Sequence, residues 1–251
     1  MSYNKVILKK KFKFSNTSTG TLCRPGSVGK SLDGVYNKIL NPDEKGFGEI
    51  ATRSRNVFMG YHNDEEKTQE AFDPDGWFKS GDIGRLDQDG YLWISGRIKE
   101  LIITSGGENI APIPIENRIK NELPEIVSNV VVVGDQKKYL TCLITLKCQI
   151  DVSGAPTSIL DKEAAKFCQK VTKDSIATVE EFEKNSKLDD LIQNAVDRAN
   201  SKAIAKPHKV QKFKILPLDL SLSGGELTPT LKLKRHFITK KYSSEISEMY
   251  D

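Results

Sequence analysis

Between residues 21 and 96 the apolar positions come in short, strand-length runs separated by turn signals. Residues 35–40 and 48–54 are strand-like, and Asn41-Pro42-Asp43 reads as the turn between them. Residues 63–72 predict a short helix with Asn63 or Asp64 as its cap. Asp73-Pro74-Asp75-Gly76 and Asp87-Gln88-Asp89-Gly90 read as hairpin turns beside short strands that hold Trp77-Phe78 and Tyr91-Leu92-Trp93-Ile94. Together these predict an all-β piece, a small barrel or a sheet.

After Gly96-Arg97 the pattern changes. A strand is expected over 101–104, a Gly-rich loop at Ser105-Gly106-Gly107-Glu108-Asn109 and a short helix over 115–123. Two strands follow over 127–133 and 139–147, close enough to pair. From 160 to 205 the chain reads as helical. Thr178 with Glu181 three residues on fits a capping box. Leu188, Leu191, Ile192, Ala195, Val196 and Ala199 share one helical face. A last strand over 210–216 leads to a polar, Gly-containing stretch and a basic segment over 232–241. Residues 1–20 are polar, basic and aperiodic, and read as a disordered leader. The fold class expected is α+β: a β-rich, barrel-like unit over 21–98, then an α+β unit over 99–251, with the boundary near Lys99.

Composition narrows the classes without choosing one. Of 251 residues, 37% are hydrophobic and 29% charged, as in a globular protein that can bury a core. The net charge of +4 suits anionic ligands such as nucleotides or CoA and does not demand nucleic acid. No apolar run approaches the roughly 20 residues of a membrane span, and no secretory signal is evident at the N-terminus. Cys23, Cys142, Cys148 and Cys168 show no CxxC spacing and read as thiols in a reducing, cytoplasmic setting.

Some motifs mislead. Gly26-Ser27-Val28-Gly29-Lys30-Ser31 looks like a phosphate loop, but the Walker spacing needs Gly where Arg24 stands. The Asp-x-Asp-Gly turns lack the remaining ligands of a calcium loop. His62, His208 and His236 are isolated from other metal ligands, and no Gly-x-Ser-x-Gly elbow is present.

Three segments combine residues that suit chemistry. In Trp77-Phe78-Lys79-Ser80-Gly81-Asp82-Ile83-Gly84 the Asp82 carboxylate can accept two hydrogen bonds from a ribose diol; the plainer reading is a strand-end Asp capping a turn. In the segment from Gly96 to Asn109, Arg97 offers a fork for phosphate or hydroxyls, and Gly106 and Gly107 let a ligand approach the backbone; the plainer reading is a domain junction and a loop. In Leu227-Thr228-Pro229-Thr230-Leu231-Lys232-Leu233-Lys234-Arg235, Lys232 can neutralise a developing phosphate charge; the plainer reading is a solvated basic tail.

In this order and spacing the three segments resemble the adenylate-forming superfamily of acyl-CoA synthetases, luciferases and peptide-synthetase adenylation domains, from about Gly20 to the C-terminus. Leu101-Ile102-Ile103-Thr104-Ser105-Gly106-Gly107-Glu108-Asn109 and the Lys232 segment look like the long-chain acyl-CoA synthetases. Glu122-Leu123-Pro124, Gly134-Asp135-Gln136-Lys137-Lys138 and Ser223-Gly224-Gly225-Glu226-Leu227 are similar to their bubblegum-type members. The resemblance implies a β-rich end of the large AMP-binding domain over 21–98 and the small, mobile C-terminal domain over 99–251. It implies that Asp82 holds the ribose hydroxyls, Arg97 assists there, Lys99 is the hinge, Gly106 and Gly107 line the pantetheine path, and Lys232 meets the carboxylate and α-phosphate during adenylation. The implied reaction joins fatty acid to CoA through acyl-AMP, with ATP, CoA and Mg²⁺, the last carried by the nucleotide.

The family's phosphate loop, its Tyr-Gly-x-Thr/Ser-Glu motif and its fatty-acid tunnel belong upstream of Thr21 and do not occur here. The chain therefore reads as a part whose own activity is expected to be lost, with a missing N-terminal half as its partner and membrane association, if any, peripheral. A non-catalytic nucleotide- or CoA-binding or partner-binding module is the alternative. A basic protein using residues 9–13 and 232–241 on RNA or lipid is the third, disfavoured because those bases lack interleaved aromatics.

Overall fold

The structure is a computed structural model that describes Asn16, Thr17 and residues 24–251. The leader expected over 1–20, its basic residues 9–13 and Cys23 lie outside the described residues, Asn16 and Thr17 excepted. The chain divides into two compact units, Met1–Lys99 and Glu100–Asp251.

In the first unit β1 (Asn16–Thr17) pairs antiparallel with β2 (Lys30–Ser31). The Gly26–Ser31 stretch is a turn, with the Ser27 N–H on the Arg24 carbonyl at 3.0 Å, that ends in β2 rather than in a helix. β3 (Val35–Leu40), β4 (Gly48–Ser54), β5 (Phe78–Leu86) and β6 (Leu92–Arg97) then form one antiparallel meander in that spatial order. The barrel-or-sheet alternative resolves to a four-stranded sheet. Its turns are braced by aspartates. Asp73 Oδ1 accepts the N–H groups of Asp75 and Trp77 at 3.0 and 2.8 Å, and Asp87 Oδ1 accepts those of Asp89 and Tyr91 at 3.0 and 2.9 Å. α1 (Glu65–Ala71) starts on Asp64, whose side chain accepts the Lys67 N–H. Phe58, Phe72 and Phe78 meet at ring-centroid distances of 5.3–5.8 Å, and Phe78, Ile50 and Ala51 are buried.

The second unit opens with the short hairpin β7 (Ile102–Ile103) and β8 (Asn109–Ile110), then α2 (Pro112–Glu122) with Pro in its first turn. β9 (Val127–Val133) and β10 (Leu140–Leu146) are antiparallel. β11 (Cys148–Ile150) and β12 (Pro156–Leu160) make a side hairpin. α3 (Lys162–Thr172), α4 (Val179–Glu183) and α5 (Ser186–Ser201) precede β13 (Val210–Ile215), which pairs parallel to β10 and gives the order β13-β10-β9. α6 (Arg235–Lys241) and α7 (Ser243–Glu248) end the unit.

β9 and β10 are mostly apolar because both faces of this sheet are covered. The pleat sends Val130 and Val132, with Leu140, Cys142, Ile144 and Leu146, into the core beneath α2, α3, α4 and α5. Val131, Val133 and Leu143 point the other way, into a second core with Leu216, Leu220, Leu227, Ile238 and Met249. Of the α5 face read from the sequence, Leu188, Ile192, Ala195, Val196 and Ala199 are each at most 2% exposed, and Leu191 is partly buried at its edge. At roughly 1.5–3 kcal/mol for each fully buried Leu, Ile or Val, that face does more to place α5 than helix propensity does.

Two expectations change. The continuous helical run over 160–205 is three helices, and Leu160, its first residue, is instead the end of β12. Lys173 stops α3 in the left-handed conformation at φ 69°, and the Thr178–Glu181 capping box restarts the chain as α4. The basic segment over 232–241 carries α6, since its lysines line the exposed side of a helix that buries Ile238. Among the described residues no helix is long and apolar enough to cross a membrane.

Candidate functional site

Asp82 sits within β5 rather than at a strand end capping a turn. Irregularities in both neighbouring ladders flank it. The β4–β5 register shifts between Glu49 and Ala51, and Gly81 takes a φ of +73° while its N–H donates to Glu49 Oε1 at 3.0 Å. A side chain at position 81 would be strained in that conformation. A register shift between β5 and β6, at Ile83 and Gly84, sets Asp82 directly opposite Arg97 on β6, with Arg97 Nε 3.2 Å from Asp82 Oδ1. The two side chains are 31% and 55% exposed, so the pair faces solvent as well as itself. A carboxylate held in place by a neighbouring guanidinium is a fixed acceptor for two vicinal hydroxyls, and the guanidinium beside it suits an anion. Lys99 follows at once, exposed, in the 3-10 turn Ile98–Glu100.

Gly106 and Gly107 lie in the second unit, in the loop that joins β7 to β8. Buried Thr104 organises it. The Thr104 N–H donates to the Glu108 carbonyl at 3.1 Å, its carbonyl accepts the Gly107 N–H at 2.9 Å, and its hydroxyl accepts the Glu108 N–H at 3.2 Å. Gly107 has a φ of +79°, and a Cβ there would meet nothing within 4 Å, so the glycine serves the turn and leaves open space beside it. The loop rests on the connection between β9 and β10, where the Ser105 N–H donates to the Lys137 carbonyl at 3.0 Å and the Gln136 N–H to the Ile103 carbonyl at 2.8 Å.

Lys232 is exposed on a small hairpin strap. The Thr228 N–H donates to the Lys232 carbonyl at 2.8 Å, the Lys232 N–H to Thr228 Oγ1 at 3.1 Å, and Leu231 takes a φ of +57° at the tip. Glu226, 2% exposed, roots the strap. Its carbonyl accepts the Lys234 N–H at 2.8 Å, and its carboxylate pairs with Lys241 and accepts the Tyr242 hydroxyl at 3.1 Å. Burial works against that carboxylate, yet the Lys241 ammonium and the Ser221 N–H hold it below the usual carboxylate range. The same burial and the Glu226 charge push the Tyr242 phenol up.

The structure thus brings Asp82 and Arg97 together in the first unit, and places the Gly106–Gly107 loop and Lys232 in the second. It also shows a network that sequence reasoning missed. Arg235, at the start of α6, grips Glu116 of α2 with two nitrogens and reaches Glu100 with the third. A signal was present: Glu116 lies on the apolar face of α2 beside Ile115 and Ile119, where a charge needs a partner. The Arg235 pKa is raised; burial opposes this, and the hydrogen bonds and charge of Glu116 outweigh it. Cys142 and Cys168 are buried and Cys148 is half-buried, and loss of solvent raises all three thiols. Among the described residues no group of three or more His, Cys, Asp and Glu side chains could hold a metal ion.

Comparison with known proteins bears on these segments. Residues 99–175 match the AMP-binding enzyme C-terminal domain. The chain is 47% identical over 227 residues to the long-chain-fatty-acid–CoA ligase ACSBG1 of Bos taurus, a match that covers 89% of this chain and 31% of the relative. The chain therefore spans about a third of the length of the curated relatives it matches. Its fold is similar to the adenylation domain of a carboxylate reductase from Mycobacterium chelonae, with a TM-score of 0.63 at 19% identity over 91% of this chain and 34% of that one. It is also similar to O-succinylbenzoate coenzyme A synthetase from Bacillus subtilis in complex with AMP, with a TM-score of 0.52 at 26% identity over 84% of this chain and 34% of that one. Residues 99–175 thus carry the C-terminal domain of AMP-binding enzymes, and over 89% of its length the chain is similar to about a third of a long-chain-fatty-acid–CoA ligase.

Proposed function

We propose that this chain supplies the ribose-binding carboxylate, the pantetheine-lining loop and the adenylation lysine of a long-chain fatty acid–CoA ligase. The parent reaction is attack of a fatty-acid carboxylate on ATP, giving acyl-AMP and pyrophosphate, then attack of the CoA thiol, giving acyl-CoA and AMP. The observation that carries the reading is the Asp82–Arg97 pair, a preset diol acceptor beside a cation, next to the left-handed Gly81. Its support from relatives is the 47% identity to a long-chain-fatty-acid–CoA ligase and the AMP complex of the Bacillus subtilis synthetase.

Asp82 binds the ribose hydroxyls and Arg97 assists at the ribose or phosphate. Lys99, the last residue of the first unit, is the hinge. Gly106 and Gly107 flank the pantetheine arm of CoA, and Lys232 stabilises the charge shared by the acyl carboxylate and the α-phosphate. Mg²⁺ would be carried on the phosphates of the nucleotide and would shield their charge. We place the protein in the cytoplasm; any membrane association is peripheral.

Ribose recognition is tested by crossing the protein change with a change in the nucleotide. In an enzyme of the relatives' length that contains this chain, Asp82→Ala should raise KM for ATP by roughly ten- to a hundredfold, the worth of hydrogen bonds to a charged acceptor. Removing the ribose hydroxyls from the nucleotide should cost the parent a similar factor and the variant almost nothing. Independent, additive losses would remove Asp82 from the ribose.

A further inference from the structure

The Gly106–Gly107 loop leans on the 134–139 connection, and that connection is itself held from its far side. Three hydrogen bonds join loop and connection: the Ser105 N–H to the Lys137 carbonyl at 3.0 Å, the Gln136 N–H to the Ile103 carbonyl at 2.8 Å, and the Ile103 N–H to Asp135 Oδ1 at 3.1 Å. On the far side stands Tyr250, the residue after buried Met249. Its hydroxyl lies 3.1 Å from the Tyr139 carbonyl and 3.4 Å from the Val133 carbonyl, and it accepts the Thr141 hydroxyl at 3.2 Å. One phenolic proton therefore serves both stems of the connection, the end of β9 and the approach to β10. The Tyr250 ring packs on Tyr139 at 5.0 Å between centroids, and the Lys137 ammonium sits over it at 4.8 Å. Tyr139 returns the grip by donating its hydroxyl to the Met249 carbonyl at 3.0 Å. Lys137 thus holds the Gly-rich loop with its carbonyl and rests its ammonium on Tyr250.

We propose that Tyr250 is a positioning residue for the Gly106–Gly107 loop, acting through the 134–139 connection, so that residues 249–251 set the geometry of the path the CoA thiol takes. The second half of that statement rests on the pantetheine reading of the loop; the first half stands on the contacts alone. Nothing about position 250 in the sequence signals this, because the residues it touches lie 109–117 positions away.

Hydrogen exchange on the whole 251-residue chain tests the grip. Tyr250→Phe removes the hydroxyl and keeps the ring; Tyr250→Ala removes both. The Ser105 and Gln136 amides should exchange roughly three- to tenfold faster in Tyr250→Phe, the range expected for one hydrogen bond, and faster again in Tyr250→Ala. The amides of Cys142 and Ile144, in the middle strand, should keep their rates in Tyr250→Phe. Unchanged exchange at Ser105 and Gln136, or an equal rise throughout the unit, overturns the proposal. In an enzyme of the relatives' length, Tyr250→Phe should also raise KM for CoA several-fold while the rate of acyl-AMP formation holds. If exchange at the loop rises and KM for CoA stays, Tyr250 holds the loop and the pantetheine reading is what fails.

Discussion

Arg235 meets Glu116 fork to fork, with Nη1 and Nη2 each 2.6 Å from one carboxylate oxygen. Glu116 Oε1 also accepts the Val132 N–H at 2.8 Å, and Arg235 Nε lies 3.5 Å from Glu100 Oε2. One guanidinium therefore ties α2 and β9 to α6, three residues past Lys232, and to the residue that follows Lys99. Geometry of this kind suits Arg and not Lys, whose ammonium cannot fill both prongs.

Removing the cation should be costly, because Glu116 is 7% exposed and would keep a buried charge without a partner. Arg235→Ala is expected to destabilise the second unit by roughly 3–5 kcal/mol. Replacing both residues with Met should cost less than Arg235→Ala alone, since no charge is then stranded. Urea denaturation followed by far-UV circular dichroism measures both. A single variant within about 0.5 kcal/mol of the parent would make the fork a surface ornament.

Acid should loosen the first unit in a defined window. Asp87 is lowered to about 2: burial opposes the shift, and the Tyr91 and Asp89 N–H groups, the Trp93 indole and Arg24 outweigh it. A carboxylate depressed in the folded state gives stability that is present above its unfolded pKa of about 3.9 and lost as pH falls through the folded value. Tryptophan fluorescence, through Trp93 at this turn, should report a weakening between about pH 4 and pH 2. Asp87→Asn should be less stable at neutral pH and flatter across that window. A slope there as steep as the parent's would assign the acid response to other groups.

Local chemistry made much of the fold readable. β3, β4 and β9 lie at the residues their patterns marked, the Asp64 cap and the Thr178–Glu181 box are in place, and the α5 face is the buried one. What escaped depends on partners distant in sequence. β12 went unread, with only Leu160 drawn into the helical run, because residues 156–160 show no clean alternation and are held by β11 and by the Ala177 carbonyl. α6 was hidden because lysines on its exposed side outnumber its single buried residue, Ile238. The three candidate segments were visible as motifs. That Asp82 would face Arg97 was not, since the pairing follows a register shift between Ile83 and Gly84 that no local pattern marks.

Lys99→Pro tests the hinge. Proline fixes φ and removes a donor, and it restricts Ile98 before it. In an enzyme of the relatives' length acyl-adenylate should still accumulate, while thioester formation falls roughly tenfold or more, as expected if the second conformation becomes at least about 1.4 kcal/mol harder to reach. Trapping acyl-AMP and acyl-CoA separately distinguishes the steps. Equal loss in both would leave Lys99 without a hinge role.

Lys232→Ala should separate the same two steps in the opposite sense. Its strap is fixed by Thr228 and Glu226 through the backbone, so removing the exposed side chain leaves the strap's own hydrogen bonds in place. Losing one preorganised contact to the transition state costs about 3–4 kcal/mol, or roughly 10²- to 10³-fold in rate. That loss should appear with fatty acid and ATP, while supplied acyl-AMP is converted with CoA at nearly the parent rate. Comparable damage in both assays would make Lys232 a structural residue.

The 251-residue chain by itself should make no acyl-CoA from fatty acid, ATP and CoA. Holding triphosphate, carboxylate and thiol in near-attack positions can supply about 7–11 kcal/mol of a barrier. The candidate groups here reach the ribose, the pantetheine arm and the acyl–phosphate junction, and no segment of these residues reads as a phosphate loop or a tunnel for an acyl tail. Folding should be less affected than catalysis, because the second unit buries two cores of its own on either side of β9 and β10. Purified chain is therefore expected to melt cooperatively and to release no pyrophosphate above the blank. Pyrophosphate release that scales with protein, survives repurification and is abolished by Lys232→Ala would show that these residues suffice for adenylation.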